Sequence, residues 1–191
     1  ILNKQKTSNQ RSAILLDQPV SRQFHLIREL FGIDNNIGIL LGPYSATLET
    51  EIIESAKQVQ QKFTLKTIRN TDELIPALNS LSDSVDLLLA EPDPVVYNKR
   101  SIQGILLLTY RSKTPVIGFS QAYSRAGAMV SLYSSTEDIA KQAVEIILDQ
   151  STSDRLYDPK YFTISFNQQV ARTLGISLPD EKQLIEQINQ K

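Results

Sequence analysis

The stretch IGILLGPYS at residues 37–45 is a β-branched and leucine-rich run that ends in a turn. Similar short runs recur at 13–16, 65–68, 85–89 and 115–119. Several of these runs are apolar on both faces, which is typical of parallel strands covered by helices on each side. The sequence therefore predicts buried strands of one parallel sheet.

Stretches with helical spacing separate these runs. Apolar residues fall on one stripe over 46–62, and Asn98 is placed to cap a helix that carries an apolar stripe over 102–109. Ser135 with Asp138 opens a further helix. Strands that alternate with helices through short connections predict an α/β fold with a parallel sheet and helices on both faces.

The C-terminal part differs from this pattern. Residues 161–166 alternate like a strand, Asn167 is placed to cap a short helix that Gly175 ends, and residues 177–181 start a last amphipathic helix.

Composition excludes several classes of protein. The 191 residues include 20 Lys and Arg against 21 Asp and Glu, and this balance argues against a general nucleic-acid binder. Hydrophobic residues make up 41%, as in ordinary globular chains. No apolar run approaches the roughly 18 residues of a membrane span. There is no Cys, which excludes disulfides and thiolate catalysis.

Catalytic motifs are missing, so we expect no enzyme activity and no cofactor. The single histidine, His25, is predicted to face solvent on a helix. No G-x-S-x-G elbow, Walker A loop or G-x-G-x-x-G motif is present. Glu91 and Asp93 are the one pair that could begin a Mg²⁺ or Ca²⁺ site, but no third oxygen ligand is evident, so we expect no metal.

Polar residues follow three of the predicted strands, where open parallel sheets bind ligands. After the first comes a turn whose backbone N–H groups and Ser45 and Thr47 hydroxyls suit a carboxylate or other anion, although helix capping would explain one hydroxyl. Tyr44, in the same turn, could stack on a ligand. After the second, Asp93 suits an ammonium or hydroxyl group, and Asn98 follows in the same segment; a solvated surface turn is the alternative.

After the third strand come Ser120 and Tyr123. Tyr123 could stack on a planar ligand, and a tyrosine packed in the core is an equally good interpretation. We include both residues in the predicted ligand site.

The same segments carry a family resemblance. The chain resembles the ABC-transporter substrate-binding proteins whose better-known members bind tryptophan or tyrosine, and which have the type I periplasmic-binding-protein fold. The resemblance extends over about residues 13–179 and rests on segments 17–19, 22–27, 37–45, 85–89, 92–93, 114–120, 126–128, 133–134, 142–143 and 167–176.

This resemblance implies two α/β lobes joined by three crossovers, with the ligand clamped between them. Residues 37–120 and 166–191 would form the second lobe, and 1–36 and 121–165 would be crossovers and remnants of the first. Asp17 and Gly127 would lie at the hinge. Family members are longer, and their first lobe would begin roughly 100 residues before this chain.

A missing first lobe has a structural consequence. Helices 21–31 and 136–149 would lack part of the sheet that they normally cover, so we expect exposed apolar surface and self-association. Where the family often has Thr-Asp-Asn, this chain has Pro92-Asp93-Pro94, which leaves ligand identity open.

The resemblance implies a non-enzymatic solute receptor of the periplasm or envelope, with a small-molecule ligand and a membrane permease and ATPase as partners. A flavodoxin-like phosphoacceptor or signalling domain, a small-molecule enzyme, and an envelope protein that kept the fold but lost transport are the alternatives.

Overall fold

A computed structural model describes residues 12–148 and 155–190 of the chain. Its strands are β1 (Ser12–Ile14), β2 (Asn36–Leu41), β3 (Lys62–Thr67), β4 (Leu87–Leu89), β5 (Val116–Gly118), β6 (Val130–Tyr133), β7 (Arg155–Tyr157) and β8 (Thr163–Phe166). Its helices are α1 (Val20–Phe31), α2 (Glu49–Gln58), α3 (Leu74–Ser82), α4 (Ile102–Arg111), α5 (Gln121–Ala126), α6 (Thr136–Leu148), α7 (Gln168–Leu174) and α8 (Glu181–Asn189).

Six of the strands form one sheet in the order β3-β2-β4-β5-β6-β8. Neighbouring strands are parallel, except that β8 runs antiparallel to β6. Strands β1 and β7 pair in parallel as a separate two-stranded sheet. The predicted α/β class with a mostly parallel sheet is confirmed.

Alternation along β2 shows why the sheet lies between two helical layers. Ile37, Ile39 and Leu41 pack in a core that includes residues of α1, α2, α7 and α8. Leu40 points to the other face, into a core shared with α3, α4 and α5. Because β2 has a strand on each side and helices on both faces, its apolar residues are buried on both faces, as the continuous apolar run predicted.

Several local predictions are confirmed. The Ser135 and Asp138 side chains each accept a hydrogen bond from the other residue's backbone N–H at the start of α6. Asn167 accepts from the backbone N–H of Val170 at the start of α7. Gly175 ends that helix with a left-handed φ of 73°.

Other elements differ from the sequence prediction. The helix predicted over 46–62 is a short 3-10 turn (Ala46–Leu48) followed by α2, which stops at Gln58. The backbone then turns at Gln60, whose φ of 56° is left-handed, and enters β3. Helix α3 and strand β6 were not predicted.

The sheet extends past the predicted lobe boundary at residue 120, because β6 pairs with both β5 and β8. Helix α1 also packs fully: its Phe24, Leu26 and Ile27 are buried in the core. The expectation of an uncovered helix at 21–31 is therefore wrong. The division of the chain between two lobes stays a prediction, and residues 1–11, 149–154 and 191 of it lie outside the described residues.

Helix α6 has an exposed apolar face. Val144, Ile147 and Leu148 are 54%, 76% and 73% exposed. Its buried residue is a polar one, Gln142, whose amide bonds the backbone of Asp158 and Lys160. The predicted exposed surface on this helix is present.

Candidate functional site

A cavity of about 520 Å³ opens at the carboxyl ends of β2 and β4. These adjacent strands connect onward in opposite directions across the sheet, β2 to β3 and β4 to β5. Open α/β sheets bind ligands at such a switch point. The cavity is lined by Leu15, Asp17, Gln18, Pro19, Val20, Tyr44, Ser45, Thr47, Leu48, Glu51, Glu91, Pro92 and Asp158.

The turn after β2 binds a carboxylate, but that carboxylate belongs to the chain itself. The backbone N–H groups of Tyr44 and Ser45 and the Ser45 hydroxyl all donate to Oδ2 of Asp93, at 2.9, 2.9 and 3.0 Å. Ser45 Oγ also accepts from the Gly42 N–H. Of the groups predicted to hold an anionic ligand, the N–H groups of Tyr44 and Ser45 and the Ser45 hydroxyl are therefore already bonded, whereas Thr47 lines the cavity.

Asp93 is consequently a structural residue in this lobe. Its Oδ1 accepts from the N–H groups of Val95 and Val96, and the side chain is 2% exposed. Burial would raise the pKa of Asp93, but the bonds from Val95, Ser45 and Tyr44 outweigh it and lower the pKa. Because Asp93 is also absent from the cavity wall, the geometry does not support its predicted contact with ligand.

Glu91, two residues earlier, is in the opposite situation. Its side chain is 1% exposed and reaches the cavity wall. Oε2 accepts one hydrogen bond, from Gln23 Nε2 at 3.3 Å, and Oε1 has no partner. Burial raises the pKa of Glu91 to about 8, and the nearby charges of Asp17 and Glu51 add to the effect.

Two further buried polar atoms beside Glu91 have no partner. Gln23 Nε2 donates both to the Gln18 carbonyl and to Glu91. The other amide atom, Gln23 Oε1, has no donor. The Tyr97 hydroxyl, close enough for Glu91 to raise its pKa, also lacks a partner. Unpaired buried polar atoms are costly, so this cluster, of which Glu91 reaches the cavity, makes this wall a candidate binding surface.

Of the predicted site residues, Tyr44, Ser45 and Thr47 line this cavity. Tyr44 is 72% exposed, so its ring is free to contact a ligand. Ser120 lines an adjoining cavity of about 400 Å³ at the ends of β5 and β6. Asp17 lines both cavities, so the two adjoin along the carboxyl edge of the sheet, and together they are called the groove.

Two predicted residues have local structural roles instead. The Tyr123 ring packs against Phe119 and Tyr97, with centroids 4.3 and 6.3 Å apart, and burial raises its pKa to about 12. Asn98 bonds the backbone of its own turn, from Pro94 to Ser101. Neither lines the two cavities of the groove, so the alternative interpretation of Tyr123 as a packing residue fits the structure.

Three connecting segments lie beside the groove, at residues 15–19, 134–135 and 158–162, and they are the positions where the resemblance implies the crossovers. Gln18 Nε2 donates to Ser134 Oγ at 2.8 Å, and Ser134 Oγ donates to the Tyr161 carbonyl at 2.6 Å. Arg22 donates to Gln18 Oε1 and to the Pro159 carbonyl. All three crossovers are therefore tied to one another beside the cavity.

The two predicted hinge residues lie at different places. Asp17 belongs to the first crossover. Gly127 follows α5 and precedes β6, with a φ of 131° and with Leu106 as its nearest side chain. It therefore lies at the start of β6, at the opposite edge of the sheet from the crossovers, and the structure gives it no hinge position.

Sequence reasoning missed several residues of the cavity. Gln18, Glu51 and Asp158 were not proposed, and Glu91 was considered for a metal alone. Glu91 could have been found, because it directly follows the buried β4 run, where ligand residues were sought. Asp158 reaches the site only through the tertiary fold.

The described residues contain no cluster of three or more His, Cys, Asp or Glu side chains placed to hold a metal ion. His25 lies half-buried on α1. Within the described ranges no helix is both long and apolar enough to cross a bilayer. A phosphoacceptor role is also disfavoured, because the carboxylate of Asp93 is buried and fully bonded.

The mostly parallel sheet with helices on both faces resembles periplasmic-binding-protein domains. The family described as ABC transporter substrate binding protein matches residues 12–185. The chain therefore belongs to this family.

Solved structures share the fold. A conserved domain protein from Vibrio cholerae is 21% identical with a TM-score of 0.71, over 93% of this chain and 61% of that one. The ABC domain from Streptococcus pneumonia in complex with L-Trp is 18% identical with a TM-score of 0.69, over 92% and 60%.

A ligand-free, open substrate-binding protein with adhesive properties from Clostridium difficile is 20% identical with a TM-score of 0.71, over 90% and 60%. The chain thus spans about three fifths of the length of these three proteins. No curated protein sequence gives a significant match.

Proposed function

We propose that this chain provides one jaw of the solute-binding component of an ABC-type importer in the bacterial periplasm or envelope. The ligand is a small polar or aromatic metabolite, bound without catalysis in a cleft between two lobes. The observation that carries the proposal is the 520 Å³ cavity at the carboxyl ends of β2 and β4, bounded by the crossovers.

Closure of the cleft follows from the crossovers. Residues 15–19 and 158–162 lead from the β1–β7 sheet into the part of the chain built on the six-stranded sheet. Rotation about these two segments would carry a second lobe over the groove. Asp17 and Asp158 line the cavity from these crossovers, so closure changes the site directly.

The remaining length of the relatives suggests what covers the open faces. The exposed apolar side chains of α6 and the exposed Leu156 of β7 lie outside the six-stranded sheet. We propose that a further lobe of the whole protein packs on them, as apolar patches of this kind are normally covered.

The test is a thermal-shift screen of the whole protein against amino acids, nucleosides and sugars, followed by calorimetry on every hit. A ligand at a hundredfold excess over its Kd stabilises the folded state by about 2.7 kcal/mol. Uptake of the same solute should fall when the gene is deleted. A protein that binds no solute would contradict the proposal, and binding without any loss of uptake would favour a receptor that has lost transport.

A further inference from the structure

The wall of the cavity has one sign of charge. It contains the carboxyl groups of Asp17, Glu51 and Asp158 together with that of the buried Glu91, and none of its residues is Lys, Arg or His. Arg22, whose guanidinium lies near enough to Asp158 to affect its own pKa, is not among the lining residues. The field in the cavity is therefore negative, and negative clefts concentrate cations.

Hydrogen-bonding groups give the same result independently. Glu91 is 1% exposed and lines the cavity, and its Oε1 has no donor. The ionised form of Glu91 can only accept, so the ligand group that completes this oxygen must donate hydrogen bonds. A carboxylate or phosphate cannot do this, whereas an ammonium group carries three donors and a matching charge.

The N–H groups that would favour an anion are already bonded. Those of Tyr44 and Ser45 point at Asp93, and the N–H of Gly42 points at Ser45 Oγ. The Asp93 carboxylate thus fills the anion position of this turn.

From these three observations we infer that the ligand of this lobe is an organic cation, whose ammonium or similar donor group lies against Glu91 with Tyr44 beside it. The inference rests on the proposed solute-binding function and specifies its ligand class. A metal ion is not the better candidate, since the described acids form no cluster able to hold one. An exposed tyrosine ring beside an acidic cavity also suits a cation through its π face.

The protonation of Glu91 supports this assignment. With its pKa raised to about 8, Glu91 is mostly neutral at pH 7 until a positive charge arrives, so binding of the cation should release a proton. The titratable groups near it are Asp17, Glu51, Asp93 and Tyr97; Asp17 and Glu51 raise its pKa, whereas the hydrogen bond from Gln23 lowers it. Affinity for a cation should therefore rise between about pH 6 and 8.

The experiment compares matched probes on the whole protein by thermal shift. Putrescine and phenethylamine are the amines, lysine and phenylalanine the amino acids, butanediol and phenylethanol the neutral compounds, and succinate and phenylpropanoate the anions. We expect stabilisation by one or more ammonium-bearing probes and none by their neutral or anionic counterparts. Binding of neutral or anionic probes alone would overturn the inference and leave the solute-binding function intact, whereas no binding by any probe or by any solute of the wider screen would reject both.

Variants then locate the contact. Glu91→Gln should weaken the best ammonium probe by about tenfold or more, as expected for a lost charge-assisted hydrogen bond. Glu54→Gln, on the exposed side of α2, should leave its Kd unchanged. Asp158→Asn, which removes an exposed charge from the cavity wall, should weaken binding of the same probe by about two- to fivefold. Unchanged affinity in both Glu91→Gln and Asp158→Asn would overturn the inference even if the probe binds.

Discussion

Replacement of Glu91 by Gln should remove a loss of folding stability that the wild-type protein undergoes as the pH rises. Glu91 is fully buried with one weak partner, and burial holds its pKa at about 8 instead of 4.5. Between these pH values the folded protein binds a proton that the unfolded chain has lost, so stability falls as pH rises. Below about pH 4.5 both states are protonated, and above about pH 8 the loss is complete.

The magnitude follows from the two pKa values. At ~1.4 kcal/mol per pH unit, the unfavourable effect of Glu91 reaches about 5 kcal/mol by pH 9. This is an upper limit, because the ionised Glu91 side chain can become hydrated or move toward the cavity, and either change lowers the cost of its charge. Gln has nearly the shape of the protonated acid and no charge to bury, so Glu91→Gln should match wild type near pH 5 and exceed it by about 2 to 5 kcal/mol at pH 9.

Urea unfolding without ligand, followed by circular dichroism at pH 5, 7 and 9, measures this difference. All other titrating groups are shared by the two proteins, so subtraction isolates Glu91. Glu54→Gln, exposed on α2, controls for the loss of an ordinary carboxylate. A stability difference between Glu91→Gln and wild type that stays constant from pH 5 to 9 would refute the reasoning.

Three further changes test the packing. Asp93→Asn turns an NH₂ toward backbone donors and should cost about 2 to 4 kcal/mol of unfolding free energy by urea titration; a loss under ~0.5 would contradict its anchoring role. Gly118→Ala puts a Cβ 2.7 Å from Tyr123 Cβ and should lower the free energy of unfolding by about 1 to 3 kcal/mol. Gly104→Ala, with open space around it in α4, should raise the free energy of unfolding by about 0.5 to 1 kcal/mol. Equal effects of the two substitutions would reject the argument. Ile147→Lys should reduce any self-association of the chain in light scattering, and an unchanged mass for an oligomer would place the contact elsewhere.

The fold was largely predictable because its signals are local. Buried strands such as β2 are apolar on both faces, and caps such as Asn167 bond a backbone group three residues away. Helix α3 was missed because Pro76 lies inside it and argues against a helix, although a proline in the first turn needs no N–H partner. Strand β6 was missed because it has four residues and buries Ser131 among apolar neighbours.

The site was predictable in position but not in detail. Strand ends locate the groove by topology, so the prediction placed Tyr44, Ser45, Thr47 and Ser120 at the sheet edge where the two cavities open. Which donor reaches which acceptor depends on tertiary contact: the Ser45 hydroxyl and the Asp93 carboxylate are 48 positions apart in sequence. No local pattern indicates that pairing.

Glu91 and Asp93 show how the supply of donors, and not sequence position, decides what a carboxylate does. Both follow β4 and both are almost fully buried, yet five hydrogen bonds keep Asp93 ionised, whereas a single bond leaves Glu91 near neutral at pH 7. The N–H groups of Tyr44 and Ser45 bond Asp93, so they are not donors for Glu91, and the proposed ligand would supply the donors that Glu91 lacks among the described residues. A charged ligand would bring them, and the chain would then hold two ionised carboxylates in one segment, one bonded by the fold and the other by the solute.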